Sequence, residues 1–158
     1  MRIGNLGLSV KTILLVEDSR FLRLTTEKTL VRAGHKVVSA CDGEEALRVA
    51  AETPPDLVLL DMLLPKLSGQ EVLRSLRSTP QTASIPIVIL SSLPQSNERK
   101  LKRDCATAYF DKSSLGLHEH SDSLVQIVKK MLDESKENAV GIGLPVLHSA
   151  ALPARGKA

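Results

Sequence analysis

The chain has 158 residues, 42% of them hydrophobic and 25% charged, with a formal net charge of +3. That balance describes a globular domain able to bury a core without disulfide or metal staples. With no Trp, one Tyr and two Phe the core must be aliphatic, and the small positive excess makes no case for nucleic acid.

Thr12 to Val16 (TILLV) is a short β-rich run that stops at two acids. Ser19 suits the cap of a helix reaching about Ala33, with Leu22, Thr26, Leu30 and Ala33 at helical spacing, and Gly34 suits a left-handed end. Lys36 to Ala40 reads as the second strand. Asp42-Gly43 opens a second helix that Pro54-Pro55 ends. Leu57 to Leu60 is almost purely aliphatic, as a central parallel strand covered on both faces should be. Ser68 to Ser78 is a third helix, carrying Val72, Leu73 and Leu76, and Ile87 to Leu90 is a fourth strand. Asn97 to Cys105 reads as a fourth helix bearing Arg99, Lys100, Lys102 and Arg103, and Thr107 to Phe110 as a fifth strand. A last helix, Ser123 to about Lys136, sets Leu124, Ile127, Val128 and Met131 on one stripe.

Five strands alternating with five helices predict an α/β fold with a doubly wound parallel sheet, flavodoxin-like in order 2-1-3-4-5. Residues 1–10 read as an N-terminal extension, 11–136 as the domain, and 137–158 as a disordered or loosely docked tail. No apolar run reaches the roughly 18 residues that span a bilayer, and the first residues lack a signal peptide's apolar stretch. Cys41 and Cys105 lack metal-ligand spacing. They are expected to be reduced, buried core residues in a cytoplasmic protein. His118 and His120 form an H-x-H pair without a third ligand and are read as part of a polar loop.

In an open parallel sheet, ligands bind beyond the carboxyl ends of the strands. Strand one ends in Glu17-Asp18, strand three in Asp61 and strand four in Ser91-Ser92, and Lys112 follows strand five. The predicted order makes these strands neighbours, so three acids, hydroxyls and one amine converge on one rim. Clustered carboxylates repel and want a cation. Hard oxygen ligands suit Mg²⁺, which keeps waters and shares itself with a phosphate. Asp61 at the centre can act as a carboxylate nucleophile toward a phosphoryl donor, with Lys112 and the metal neutralising the growing charge.

Four segments, LLVEDS at 14–19, PDLVLLDMLLPKLSG at 55–69, IVILSS at 87–92 and ATAYFDK at 106–112, stand in order at the strand ends. With them the chain resembles the receiver domains of bacterial two-component signalling, of the single-domain chemotaxis-regulator kind, over about Lys11 to Ser135. The resemblance implies that Asp61 is the phosphoacceptor. It makes Asp18 a direct ligand of Mg²⁺ (or Mn²⁺), Glu17 a ligand mainly through water, and the Leu63 backbone carbonyl a further ligand. It implies that Ser91 senses the phosphoryl group, that Lys112 pairs with it, and that Tyr109 switches. The output face would then be formed by helix four, strand five and helix five. The basic residues of helix four are read as a solvated face more than a recognition patch.

The chain departs from the family where a proline, joined by a cis bond, usually follows the lysine. Ser113 stands there, and a cis bond before a non-proline residue costs about 2.5–4 kcal/mol, so this segment is expected to run differently. Leu63 and Leu93 occupy the two positions that tune dephosphorylation in the family. Both are apolar and ill-suited to orienting water, which points to slow hydrolysis.

The expected partners are a sensor histidine kinase or phosphotransfer protein and a separate downstream protein, with weak self-association and no enzymatic turnover of other substrates. The residues after helix five are too few for a helix-turn-helix unit, so direct DNA binding is not expected, and without a spanning apolar run no membrane partner is expected either. Two alternatives are a phosphorylation-independent interaction scaffold and an aspartyl-phosphate phosphatase. The latter would want an acid two residues after the nucleophile, where Leu63 stands.

Overall fold

In the computed structural model, which describes residues 10–92, 99, 105–114 and 118–151, each of the five apolar runs forms a strand. The order along the chain is β1 (Thr12–Val16), α1 (Arg20–Arg32), β2 (Lys36–Ala40), α2 (Gly43–Glu52), β3 (Leu57–Asp61), α3 (Gly69–Ser78), β4 (Ile87–Ser91) and β5 (Ala108–Asp111). A 3-10 turn at Lys112–Ser114 and a C-terminal helix, His118–Ala151, complete the described elements. The strands lie parallel in the order β2-β1-β3-β4-β5, the doubly wound arrangement expected from the alternation.

The period of two along each strand divides the core into two layers. Ile13 and Leu15 of β1, Leu57 and Leu59 of β3, and Val88 and Leu90 of β4 pack with Leu30 of α1 and with Leu124, Val128 and Met131 of the C-terminal helix. Leu14, Val16, Val58, Leu60, Ile87 and Ile89 point the other way, onto Ala46 and Ala50 of α2 and Val72, Leu73 and Leu76 of α3. Covered on both faces, β3 and β4 are buried at every residue, whereas the edge strands β2 and β5 are only partly buried.

The helix starts follow capping chemistry. The side chains of Ser19, Asp42 and Ser68 accept the N–H groups of Leu22, Glu45 and Glu71, and Ser68 and Glu71 form a reciprocal capping box. Gly34 ends the first helix unit with φ of +96°, a conformation that favours glycine.

Several expectations are corrected. Cys41 and Cys105 are both exposed. Cys41 follows an edge strand, with its thiol donating to the Glu45 carboxylate at 3.2 Å, and Cys105 sits in a left-handed turn with φ of +73°. Strand five begins at Ala108 and runs on through Asp111, so Lys112 follows it directly. The C-terminal helix starts at His118, before Ser123, which makes the backbone of the H-x-H segment helical where a loop was expected. It also continues past Lys136 to Ala151, where the sequence suggested an irregular tail. Gly141, Gly143 and Pro145 are weak helix formers that hide the continuation, whereas adding a turn to an existing helix costs far less than starting one. The predicted fourth helix, 97–105, lies outside the described residues except for Arg99, which is helical and exposed, and Cys105. Leu93 also lies outside them. Among the described residues no helix is long and apolar enough to cross a membrane.

Candidate functional site

The carboxyl ends of β1, β3, β4 and β5 lie side by side, and they bring the predicted rim together. Val16 pairs with Leu60, Asp61 with Leu90, and Ser91 with Asp111. Glu17, Asp18 and Asp61 each offer a carboxylate oxygen, and these atoms all lie within 4.8 Å of one another. Glu17 and Asp61 are buried, at 1% and 2% exposure, while Asp18 is exposed, as is Leu63 at 62%.

Lys112 reaches into this cluster from the 3-10 turn after β5. Its Nζ donates to Asp61 Oδ2 at 2.7 Å and to Glu17 Oε1 at 3.0 Å. Glu17 Oε2 is 2.9 Å from the same amine, but it is buried without any hydrogen bond of proper geometry. Burial pushes the Glu17 carboxyl above its usual range. The hydrogen bonds from Lys112 and from the Ser19 N–H oppose that rise, and the Asp61 charge adds to it. Burial alone would lower the Lys112 amine, but its hydrogen bonds to Asp61 and Glu17 outweigh this and hold it above its ordinary value.

The loop after β3 is shaped by close backbone packing. The Leu63 N–H donates to Asp61 Oδ1 at 3.1 Å, and the Gly69 N–H returns to the Met62 carbonyl at 3.0 Å. A Cβ at Gly69 would collide with the Asp61 carbonyl, which gives the glycine eight residues after Asp61 a physical reason. The Gly43 N–H and the Leu67 N–H both point to the Pro65 carbonyl, at 3.4 Å and 2.9 Å. Lys66, at φ of +70°, pairs with Asp42 at 3.3 Å and so ties this loop to the start of α2.

Register separates the two candidate serines: Ser91 is buried as the last residue of β4, and Ser92 is exposed. Tyr109 is half-buried opposite Ile89 and packs on the layer of α2 and α3. After Lys112 the chain does run on without a cis bond, none being present among the described residues. The Ser113 N–H and hydroxyl both donate to Asp111 Oδ1, at 2.9 and 2.7 Å.

Sequence reasoning missed Arg23, whose Nη1 donates to the backbone carbonyls of Glu17 at 2.9 Å and Asp18 at 3.4 Å. It also missed the Lys66–Asp42 pair. Arginine-to-carbonyl contacts leave no residue pattern to read, although an arginine one turn into the helix after an acidic strand end is a place to look.

As a donor set the rim holds only hard oxygens, one of them buried without a hydrogen bond. These residues fit a small, hard divalent cation. A lysine facing the central carboxylate adds a second positive group for an incoming anion.

Residues 13–113 match the family model for the response regulator receiver domain. The gliding motility regulatory protein of Myxococcus xanthus is 45% identical over 107 residues, covering 66% of this chain and 14% of that protein. The alkaline phosphatase synthesis transcriptional regulatory protein PhoP of Bacillus subtilis is 40% identical over 91 residues, covering 58% of this chain and 37% of that protein. The chain thus spans well under half the length of either relative. Among solved structures, the chemotaxis protein CheY4 of Vibrio cholerae superposes with a TM-score of 0.70 at 26% identity, covering 78% of this chain and 99% of that one. The Mn²⁺-bound form of response regulator Rcp1 superposes with a TM-score of 0.66 at 27% identity, covering 75% and 91%. A family match over more than half of its length, with the same fold in its structural neighbours, places this chain in the response regulator receiver domain family.

Proposed function

We propose that this chain is the phosphoacceptor of a two-component phosphorelay, carrying a phosphoryl group on Asp61 with Mg²⁺ or Mn²⁺ alongside. The observation that carries the reading is the juxtaposition of three carboxylates within 4.8 Å with an amine 2.7 Å from the central one. An Asp61 oxygen attacks the phosphorus of the donor, the bond from phosphorus to the donor's leaving atom breaks, and its electron pair departs with the donor. The product is an acyl phosphate, and a carboxylate nucleophile needs no separate base. Lys112 follows the charge from Asp61 Oδ2 onto the phosphoryl oxygens, and the Ser91 hydroxyl donates to one of them.

Asp18, Asp61 and the Leu63 carbonyl would hold the metal directly, and Glu17 mainly through water. A bound metal neutralises charge on the transferring oxygens. The Mn²⁺-bound form of Rcp1, a protein of the same fold, supports the choice of ion.

A sensor histidine kinase or a phosphotransfer protein supplies the phosphoryl group in the cytoplasm, and a separate protein reads the result. Ser91 and Tyr109 lie toward the same layer of the sheet, so a shift at the rim has a short route to the β5 edge. The chain turns over no other substrate. The test is intact mass after incubation with Mg²⁺ and acetyl phosphate. The wild type gains one phosphoryl group and Asp61→Ala gains none. No gain in either would favour the phosphorylation-independent scaffold.

A further inference from the structure

We propose that Arg23 is a positioning residue for metal capture: through the backbone it aims the two acids of the loop between β1 and α1. The inference rests on the functional reading above. The chain passes from β1 to α1 in only three residues, Glu17 to Ser19, and two of them are proposed metal ligands. Most backbone polar groups of this turn have partners within the fold. The Glu17 N–H donates to the Ala40 carbonyl at 3.0 Å, and the Ser19 N–H donates to Glu17 Oε1 at 3.0 Å. The carbonyls of Glu17 and Asp18 both accept from Arg23 Nη1.

Arg23 is itself well placed to act as a strut. It lies one turn into α1, where its own N–H donates to the Ser19 carbonyl at 2.8 Å, and its side chain is half-buried. A planar guanidinium loses little freedom on making such contacts. Asp18 is exposed, so the direction of its carboxylate is inherited from the backbone beneath it. Losing Arg23 leaves a part-buried carbonyl without its donor and frees the peptide units that carry both ligands.

Charge and geometry act in opposite directions here, which makes the inference decidable. A positive side chain near a cation site weakens cation binding by Coulomb repulsion, so its removal on that ground alone would tighten binding. Support of the ligands acts the other way, since losing a group that orients metal ligands typically costs about 10-fold or more in affinity.

The experiment is a Mn²⁺ titration followed by calorimetry and by the paramagnetic resonance signal of free Mn²⁺. The proteins are wild type, Arg23→Met, Arg23→Lys and Arg20→Met, each with its Tm. Arg20 is an exposed residue at the start of the same helix and controls for charge. Arg23→Met is expected to bind Mn²⁺ about 10-fold more weakly. Arg23→Lys should recover part of the loss, and Arg20→Met should bind as well as wild type or better. Binding by Arg23→Met that equals or exceeds wild type overturns the inference. Should Arg23→Met fail to fold, Arg23→Lys decides alone: a several-fold loss supports the inference and unchanged affinity overturns it. Wild type that takes up no Mn²⁺ sinks the functional reading and this inference together, whereas normal uptake by wild type and Arg23→Met alike sinks only the inference.

Discussion

The two ends of the sheet each hold charge away from water, and they treat it in opposite ways. At the amino end, Arg77 from the last turn of α3 donates to the carbonyls of Cys105 at 2.9 Å, Ala83 at 3.0 Å and Ile85 at 2.6 Å, and to Thr107 Oγ1 at 3.3 Å. Thr107 Oγ1 in turn accepts the Ile87 N–H that opens β4. Burial lowers the guanidinium from its ordinary value, but its donors meet fixed acceptors from two segments, before β4 and before β5. At the carboxyl end, carboxylates face one another around a single lysine, and one buried oxygen has no hydrogen bond. Charge matched to fixed backbone holds the fold together. Charge left in mutual repulsion is available to a ligand.

The sharpest way to break this contrast is to remove each charge in turn. Arg77→Ala strips donors from four acceptors in two segments and is expected to cost about 2–4 kcal/mol, read as a fall in Tm and in the urea midpoint. A loss below about 0.5 kcal/mol would show that the clip is dispensable. Arg77→Lys should recover only part, because an ammonium cannot reproduce the fork.

At the other end the sign should reverse. Glu17 is raised, so between the ordinary value of 4.5 and its folded value the folded chain binds the extra proton. Stability therefore falls as pH rises through that window, and the cost persists above it. In the presence of a chelator, Glu17→Gln should remove that slope and raise Tm at neutral pH by a few degrees, about 1 kcal/mol. Added Mn²⁺ should erase the advantage. A Glu17→Gln protein less stable than wild type under a chelator would mean that this rim, too, is built for stability.

The smallest effect concerns the mouth. Leu63 offers no polar group to an attacking water from its exposed position beside Asp61. Leu63→Asn should speed loss of the phosphoryl group about threefold, near 0.7 kcal/mol off the barrier, measured as decay of the phosphorylated mass. An unchanged decay would remove Leu63 from the account of the mouth.

What could be read from sequence divides along the same line. A continuous aliphatic run made β3 plain as a central strand, and acids ending β1 and β3 placed Glu17, Asp18 and Asp61 at one rim. Lys112 followed from its place after β5. The resemblance chose Ser91 over Ser92, and the strand register adds the physical reason, since Ser91 is buried at the end of β4 and Ser92 is exposed. Arg23 and Arg77 were invisible because they bind mainly backbone carbonyls, and any residue supplies those. Burial of Cys41 and Cys105 was misjudged because composition says that cysteine is often buried and cannot say which residue lies beyond an edge strand or in a left-handed turn.

The central claim is that Asp61, and no other acid of the rim, takes the phosphoryl group. Borohydride reduction of the protein after treatment with Mg²⁺ and acetyl phosphate, followed by peptide mapping, tests it directly, because hydride converts an aspartyl phosphate into homoserine. Homoserine at position 61 alone is the predicted result. Homoserine at position 18, or at no position in a protein that still folds and binds Mn²⁺, would contradict it.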